Sequence, residues 1–232
     1  MSINNISDIT NIVYINLDER TDRRKHIEEQ LNTVGFKNFK RFKAIKTTSG
    51  AIGCTMSHLK CLEDARDSKL SHLLVVEDDT LFLDPPHFQQ QFNKFLSNNK
   101  SWDVVLLAGN NMLPYTKIDD TCIKVTHCQT TTAYLVNGKY FDTLITNFKT
   151  GLNKFIHDNT NGILYAIDKY WLTLQKRDNW YLIVPIKVIQ KEDYSDIEKR
   201  VVNYNSLMKN IDKAFITSVD PSKFNMRNIL YK

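Results

Sequence analysis

Three carboxylates in succession, Glu77-Asp78-Asp79, follow the unbroken apolar run Leu73-Leu74-Val75-Val76. Like charges so close repel unless a cation or hydrogen-bond donors neutralise them. An oxygen-only donor set suits Mg2+ or Mn2+, which takes one or two protein carboxylates and leaves its other positions to diphosphate oxygens and water. The alternative is an exposed acidic loop that caps the next helix or is solvated. A second group is Asn16-Leu17-Asp18-Glu19-Arg20 with Asp22-Arg23-Arg24. Guanidinium groups at a strand-to-helix turn can reach a diphosphate, helped by backbone N–H groups at the helix start; equally, they can pair with Glu28 along the helix. Neither Gly-x-Gly-x-x-Gly nor Gly-x-x-x-x-Gly-Lys-Ser/Thr occurs, which excludes a Rossmann dinucleotide fingerprint and a P-loop.

A third group holds Gly50, Gly53, Cys54, Ser57 and His58. The glycines let backbone approach a ligand that Ser57 or His58 then hydrogen-bonds, or His58 is a structural group beside an apolar face. No Asp is spaced as a triad partner, so Ser57 is not read as a hydrolase nucleophile. Asp168 either lines the same pocket or caps the helix that follows it, and Ser195 with Glu198 fits a capping box. Tyr134, Trp171 and Trp180 either stack on a ligand ring or belong to the core.

These residues need elements to hold them. Apolar segments of strand length alternate with segments of helical period, the pattern of an α/β domain with a mostly parallel sheet. Strands are predicted over 11–17, 39–42, 73–76 and 103–108, and over 123–125 and 130–136 with antiparallel pairing open. A late strand spans 181–189, interrupted by Pro185. Ile27, Leu31 and Val34 mark a helix over 21–34 whose other face carries Arg23, Glu28 and Gln30, and which Gly35 stops. Ile52, Met56, Leu59 and Leu62 mark the next, Pro85-Pro86 opens a third, and others cover 139–148 and 167–174. Ligands of open α/β sheets sit beyond the carboxyl ends of the strands, where the acidic triplet falls.

The 232 residues suit one domain, with a core over about 11–204 and a C-terminal tail, 205–232, packing on it. Lys and Arg number 31 against 26 Asp and Glu, interspersed, so a nucleic-acid partner is not expected and phosphorylated small molecules are. The four cysteines form no Cys-x-x-Cys pair, which argues for buried free thiols rather than a zinc module or disulfides. No apolar run approaches the ~20 residues of a membrane span. The polar start does not read as a secretory signal, so the expectation is a cytoplasmic protein without a transmembrane segment.

In this order and spacing, the segments resemble glycosyltransferase family 25, the lipopolysaccharide-biosynthesis and collagen-galactosyltransferase group. The family's Asn-Leu-Asp-Arg segment stands here from Asn16 to Arg24, its Gly-x-x-Gly-Cys-x-x-Ser-His motif from Gly50 to His58, and its Leu-Glu-Asp-Asp motif from Val76 to Asp79. The Thr-x-Ala-Tyr segment is similar to Thr131-Thr132-Ala133-Tyr134, and the late Asp before an aromatic helix to Asp168. Glu19 stands where the family often has Arg, and Ala51 where it often has an acidic residue.

The resemblance implies a single GT-A-type, Rossmann-like nucleotide-sugar-binding domain and inverting transfer of a hexose, galactose or glucose. The donor would be a UDP-sugar and the acceptor a hydroxyl on a glycan or protein. Mn2+ (or Mg2+) would sit on Glu77 and Asp79, with Asn16, Leu17, Arg20, Arg23, Arg24, Ser57, His58 and Asp78 toward the donor. One-step inversion needs a base at the acceptor hydroxyl; Asp168 is the candidate, with Asp78 in reserve, and Asp168 as a further metal ligand is the other option. A catalytically silent sugar-nucleotide or glycan-binding module of the same fold is the rival reading, and an oligomer is left open.

Overall fold

The computed structural model describes residues 3–98, 101–158 and 162–213. Its first half repeats one unit three times: β1 (Ile12–Asn16) feeds α1 (Thr21–Val34), β2 (Phe39–Lys43) feeds α2 (Gly50–Asp67), and β3 (His72–Glu77) runs through the short β4 (Thr80–Phe82) into α3 (Pro85–Ser97). Five strands then follow without an intervening α-helix: β5 (Val104–Leu106), β6 (Asn110–Asn111), β7 (Tyr115–Lys117), β8 (Cys122–Val125) and β9 (Cys128–Gln129). After β10 (Ala133–Asn137) come α4 (Phe141–His157), α5 (Ile167–Tyr170) and α6 (Leu172–Gln175). The chain closes with β11 (Trp180–Ile183), β12 (Val188–Gln190), the hairpin β13 (Asp193–Ser195) and β14 (Arg200–Val202), and α7 (Asn205–Lys209).

Eight strands form the central sheet in the order β2-β1-β3-β10-β5-β11-β8-β7. Only β10 and β8 run against their neighbours, so six of the eight point one way and the sheet is mostly parallel. Burial dictates the layers. Leu74 and Val76 of β3 pack with Ile27, Leu31, Phe88, Phe92 and Phe95 of α1 and α3 on one face. Leu73 and Val75 pack with Leu62, Ala65, Leu144 and Phe148 of α2 and α4 on the other. A strand apolar at consecutive positions needs such cover on both faces, and each fully buried Leu or Val contributes about 1.5–3 kcal/mol.

Local signals set the boundaries. Gly35, at φ 88°, ends α1 by giving its N–H to carbonyls of the last turn. Asp84 caps α3 ahead of Pro85 and Pro86, so the acidic triplet is not that cap. The expected strand over 181–189 is two strands: β11 lies in the central sheet, and beyond Pro185 β12 leaves it to pair with β4. Tyr134, Trp171 and Trp180 are completely buried and belong to the core. The helix expected over 139–148 continues to His157. Free thiols are present at all four cysteines, three of them buried. Of the expected tail, α7 packs on the core by burying Met208 beside Gln190; residues 214–232 lie outside the described residues. Among the described residues no helix is long and apolar enough to cross a membrane.

Candidate functional site

Parallel pairing of β1 with β3 sets Ile15 opposite Glu77, so the turns that leave the two strands are neighbours at one edge of the sheet. Antiparallel β10 sets Ala133 opposite Val76 and so starts at the same edge, where the Glu77 N–H donates to the Thr132 carbonyl at 2.8 Å. The acidic triplet, the arginine turn and the threonine segment therefore meet because of strand order alone.

The Arg23 guanidinium bonds Asp78 at 3.1 Å, Asp79 at 3.0 Å and Asp193 of the β13 hairpin at 3.1 Å. This corrects the helix-face assignment. Arg23 lies four residues before Ile27 and shares its inward face, and its side chain is 11% exposed. Arg20 bonds Asp22, Asp193 and Asp196. Asn16 is buried and donates its amide to Asp78 at 2.7 Å and to the Arg20 carbonyl at 2.9 Å, tying the triplet to the turn. Leu17 shapes that turn by accepting the Arg20 N–H.

Nor is the triplet an exposed loop: Asp78 and Asp79 are 8% and 5% exposed. Burial, with Glu77 next to it, pushes the Asp79 carboxyl up to about 7. Its Oδ2 accepts from Arg23 and from Gln190 Nε2, while Oδ1 is buried with no hydrogen-bond partner. Burial also raises Asp78. Glu77 moves the other way, because its bonds from His58 and Thr131 and the charge of Arg23 outweigh the burial that would raise it. Both bonds fall on Oε1, and among the described residues no hydrogen bond reaches Oε2. Asp79 Oδ1 is thus a buried carboxylate oxygen without a donor, which is costly, and oxygen of this kind is what a hard divalent cation takes.

Asp168 is not the cap of its helix, which begins after Ala166. Its Oδ2 accepts the Thr130 N–H at 3.1 Å, and burial raises its pKa. Thr130 holds φ at 76°, a left-handed conformation that costs a β-branched residue ~1–3 kcal/mol. Burial raises the Cys54 thiol, and the negative charges of Glu77, Asp168 and Asp79 raise it further.

Two expected donor residues are placed elsewhere. Arg24 pairs with Glu28 on the exposed side of α1. Ser57 is fully buried and spends its hydroxyl inside the fold, donating to the Gly53 carbonyl at 2.7 Å and accepting the Ile45 N–H at 2.8 Å. The inward face of α2 thus carries Ser57, His58, Cys61 and Leu62, while Ile52 and Met56 are half-buried. Gln190, Asp193 and Thr130 were not foreseen. None belongs to a local motif, and an isolated polar residue in a polar stretch gives no signal.

The domain is a mixed α/β fold with a large, mostly parallel central sheet, and its acidic corner lies where the turns after β1 and β3 meet. A profile of glycosyltransferase family 25 (LPS biosynthesis protein) matches residues 9–171, and the chain belongs to that family. A procollagen lysyl hydroxylase and glycosyltransferase of Acanthamoeba polyphaga mimivirus is 25% identical in an alignment 202 residues long that covers 77% of this chain and 22% of the viral protein. The chain thus spans about a fifth of that relative. Solved structures of similar form include a glycosyltransferase involved in the glycosylation of the major capsid of PBCV-1, at 10% identity and TM-score 0.42 over 75% of this chain and 91% of that one. Another is a mutant Drosophila β-1,4-galactosyltransferase 7 in complex with manganese, UDP-Gal and xylobiose, at 12% identity and TM-score 0.40 over 95% and 79%.

Proposed function

We propose that the domain is an inverting glycosyltransferase that moves a hexose, galactose or glucose, from a UDP-sugar to a hydroxyl of a glycan or hydroxylated-protein acceptor, with Mn2+ or Mg2+ as its cation. One juxtaposition carries the reading: Arg23 of the first strand-to-helix turn bonds both Asp78 and Asp79 of the acidic corner. The two halves expected of a cation-and-diphosphate site share one wall.

Charge balance supports the cation. Arg20 and Arg23 are shared by five carboxylates, Asp22, Asp78, Asp79, Asp193 and Asp196, so a bare diphosphate meets a net negative surface. Glu77 and Asp79 would hold the ion, which when bound supplies positive charge against the leaving diphosphate. Arg20 and Arg23 add donors fixed before the reaction begins. Asp78, held by Asn16 and Arg23, orients rather than accepts a proton. Asp168 takes the proton of the acceptor hydroxyl; its raised pKa brings it nearer the range in which a base works best around neutrality. The mimivirus relative's name joins lysyl hydroxylation with glycosyl transfer, which supports a hydroxylated protein as one acceptor class. Residues 11–204 form the catalytic core in this reading.

The test is UDP release from UDP-galactose and UDP-glucose with Mn2+, using hydroxylysine peptides and simple glycosides as acceptors. Release that EDTA abolishes is the expected result. UDP binding without turnover on any pair would favour a silent binding module, and no UDP binding at all would overturn the reading.

A further inference from the structure

His58 sits fully buried in the middle of α2, where a ring with two polar nitrogens needs a partner for each. Nε2 lies 3.1 Å from Glu77 Oε1 and Nδ1 lies 2.8 Å from the Tyr134 hydroxyl. The partners assign the tautomer: a carboxylate only accepts, so Nε2–H donates to it, and Nδ1 accepts the Tyr134 O–H. Tyr134 is itself immobilised, stacked on His58 at 5.6 Å and edge-on to Trp171 at 5.7 Å. Thr131 adds a second donor to the same Oε1. Both side-chain hydrogen bonds to this carboxylate thus act on one oxygen.

We propose that His58, fixed by Tyr134, is a positioning residue: it pins Oε1 of Glu77 so that Oε2 is presented to the divalent cation. The proposal rests on the acidic corner being a cation site. It also assigns the close grouping of Cys54, His58 and Glu77. His58 is not a ligand, since both its nitrogens already have partners inside the fold, and a hard cation takes carboxylate oxygen in preference to the Cys54 thiol. Groups that hold a ligand from behind typically change metal affinity by ~10–100-fold when lost.

The experiment is Mn2+ binding to the full chain in the presence of UDP, read from the electron paramagnetic resonance of free Mn2+, with thermal melting in EDTA as the measure of fold. Tyr134→Phe, which deletes one hydroxyl, and His58→Phe are expected to weaken Mn2+ binding by ~10–100-fold. His58→Gln should recover most of the loss, because its amide still donates to Oε1. If His58→Phe does not fold, Tyr134→Phe carries the test. Lower melting temperatures with unchanged Mn2+ affinity would reduce His58 to a packing role and overturn the proposal. So would Cys54→Ala weakening Mn2+ binding as much as His58→Phe, since sulfur and imidazole would then be ligands. Absence of Mn2+ uptake by the unaltered chain overturns the cation reading and this proposal with it, whereas uptake that none of the variants alters overturns this proposal alone.

Discussion

Arg23→Ala removes a guanidinium that touches Asp78, Asp79 and Asp193 together. The Arg23 side chain is 11% exposed and those of its partners 11%, 6% and 23%, which removes the group from the regime of surface ion pairs. Exposed pairs are worth ~0–1 kcal/mol, whereas stranding a buried charge costs ~3–5 kcal/mol. Two carboxylates keep a donor after the change: Asp78 retains Asn16 at 2.7 Å and Asp79 retains Gln190 at 3.0 Å. The lower end of the range follows, about 3 kcal/mol, or roughly 6–12 °C in Tm for a domain of this size. Equilibrium urea unfolding without metal measures it. Arg24→Ala is the internal control, one residue away on a half-exposed i,i+4 pair with Glu28, and should cost far less than Arg23→Ala. A loss below about 1 kcal/mol for Arg23→Ala, or equal losses for the two, would refute the reasoning that burial of this cluster sets its energetics.

Asp79→Asn removes one charge from the crowded corner and keeps an oxygen for Arg23 and Gln190 to bond; metal-free stability should stay within about 1 kcal/mol of the parent chain, while Mn2+-dependent UDP release falls roughly 100-fold or more. Asp168→Asn should leave UDP affinity unchanged by calorimetry and slow turnover by ~10²–10⁴; unaltered turnover would remove it as base. His72 is buried and its Nε2 accepts the Thr10 and Asn11 N–H groups, a role the protonated ring cannot play. Burial holds its pKa below the ordinary value, so the unfolded chain binds the proton more readily and the share of stability that His72 supplies falls as pH drops below about 6.5. Asp79, raised to about 7, works the other way over the same range, so the test is the difference in urea midpoints between the parent chain and His72→Gln, which keeps an acceptor and does not titrate: the variant should gain on the parent between pH 7.5 and 5.5.

What the sequence could show follows from what is local. The acidic triplet after an apolar strand and the arginines after Asn16 were readable because each is a short run, and parallel pairing of β1 with β3 then brings the runs together. The helix faces were less readable where polar residues are buried. Three apolar residues defined the α1 stripe, yet Arg23 completes it because three carboxylates await it inside. On α2 the inward positions are Ser57 and His58, whose partners Gly53, Ile45, Tyr134 and Glu77 come partly from other segments. Pairing across 111 positions, as between Gln190 and Asp79, has no trace in either neighbourhood. The departure of β12 from the central sheet, which delivers Gln190, was hidden in what read as one apolar run.

Arg23 and Asp193 stand 170 positions apart in the chain, and Arg20 and Asp193 stand 173 apart. During synthesis from the N-terminus the arginine turn and the acidic triplet emerge first, and the hairpin that straps the arginines follows only after a long stretch of intervening chain. A growing chain would therefore carry an unlatched corner while its sheet is already forming, and closure of such a long loop comes late. Maturation of this corner waits for β13, so a fragment ending before it would retain the acidic triplet and Arg23 with the latch open.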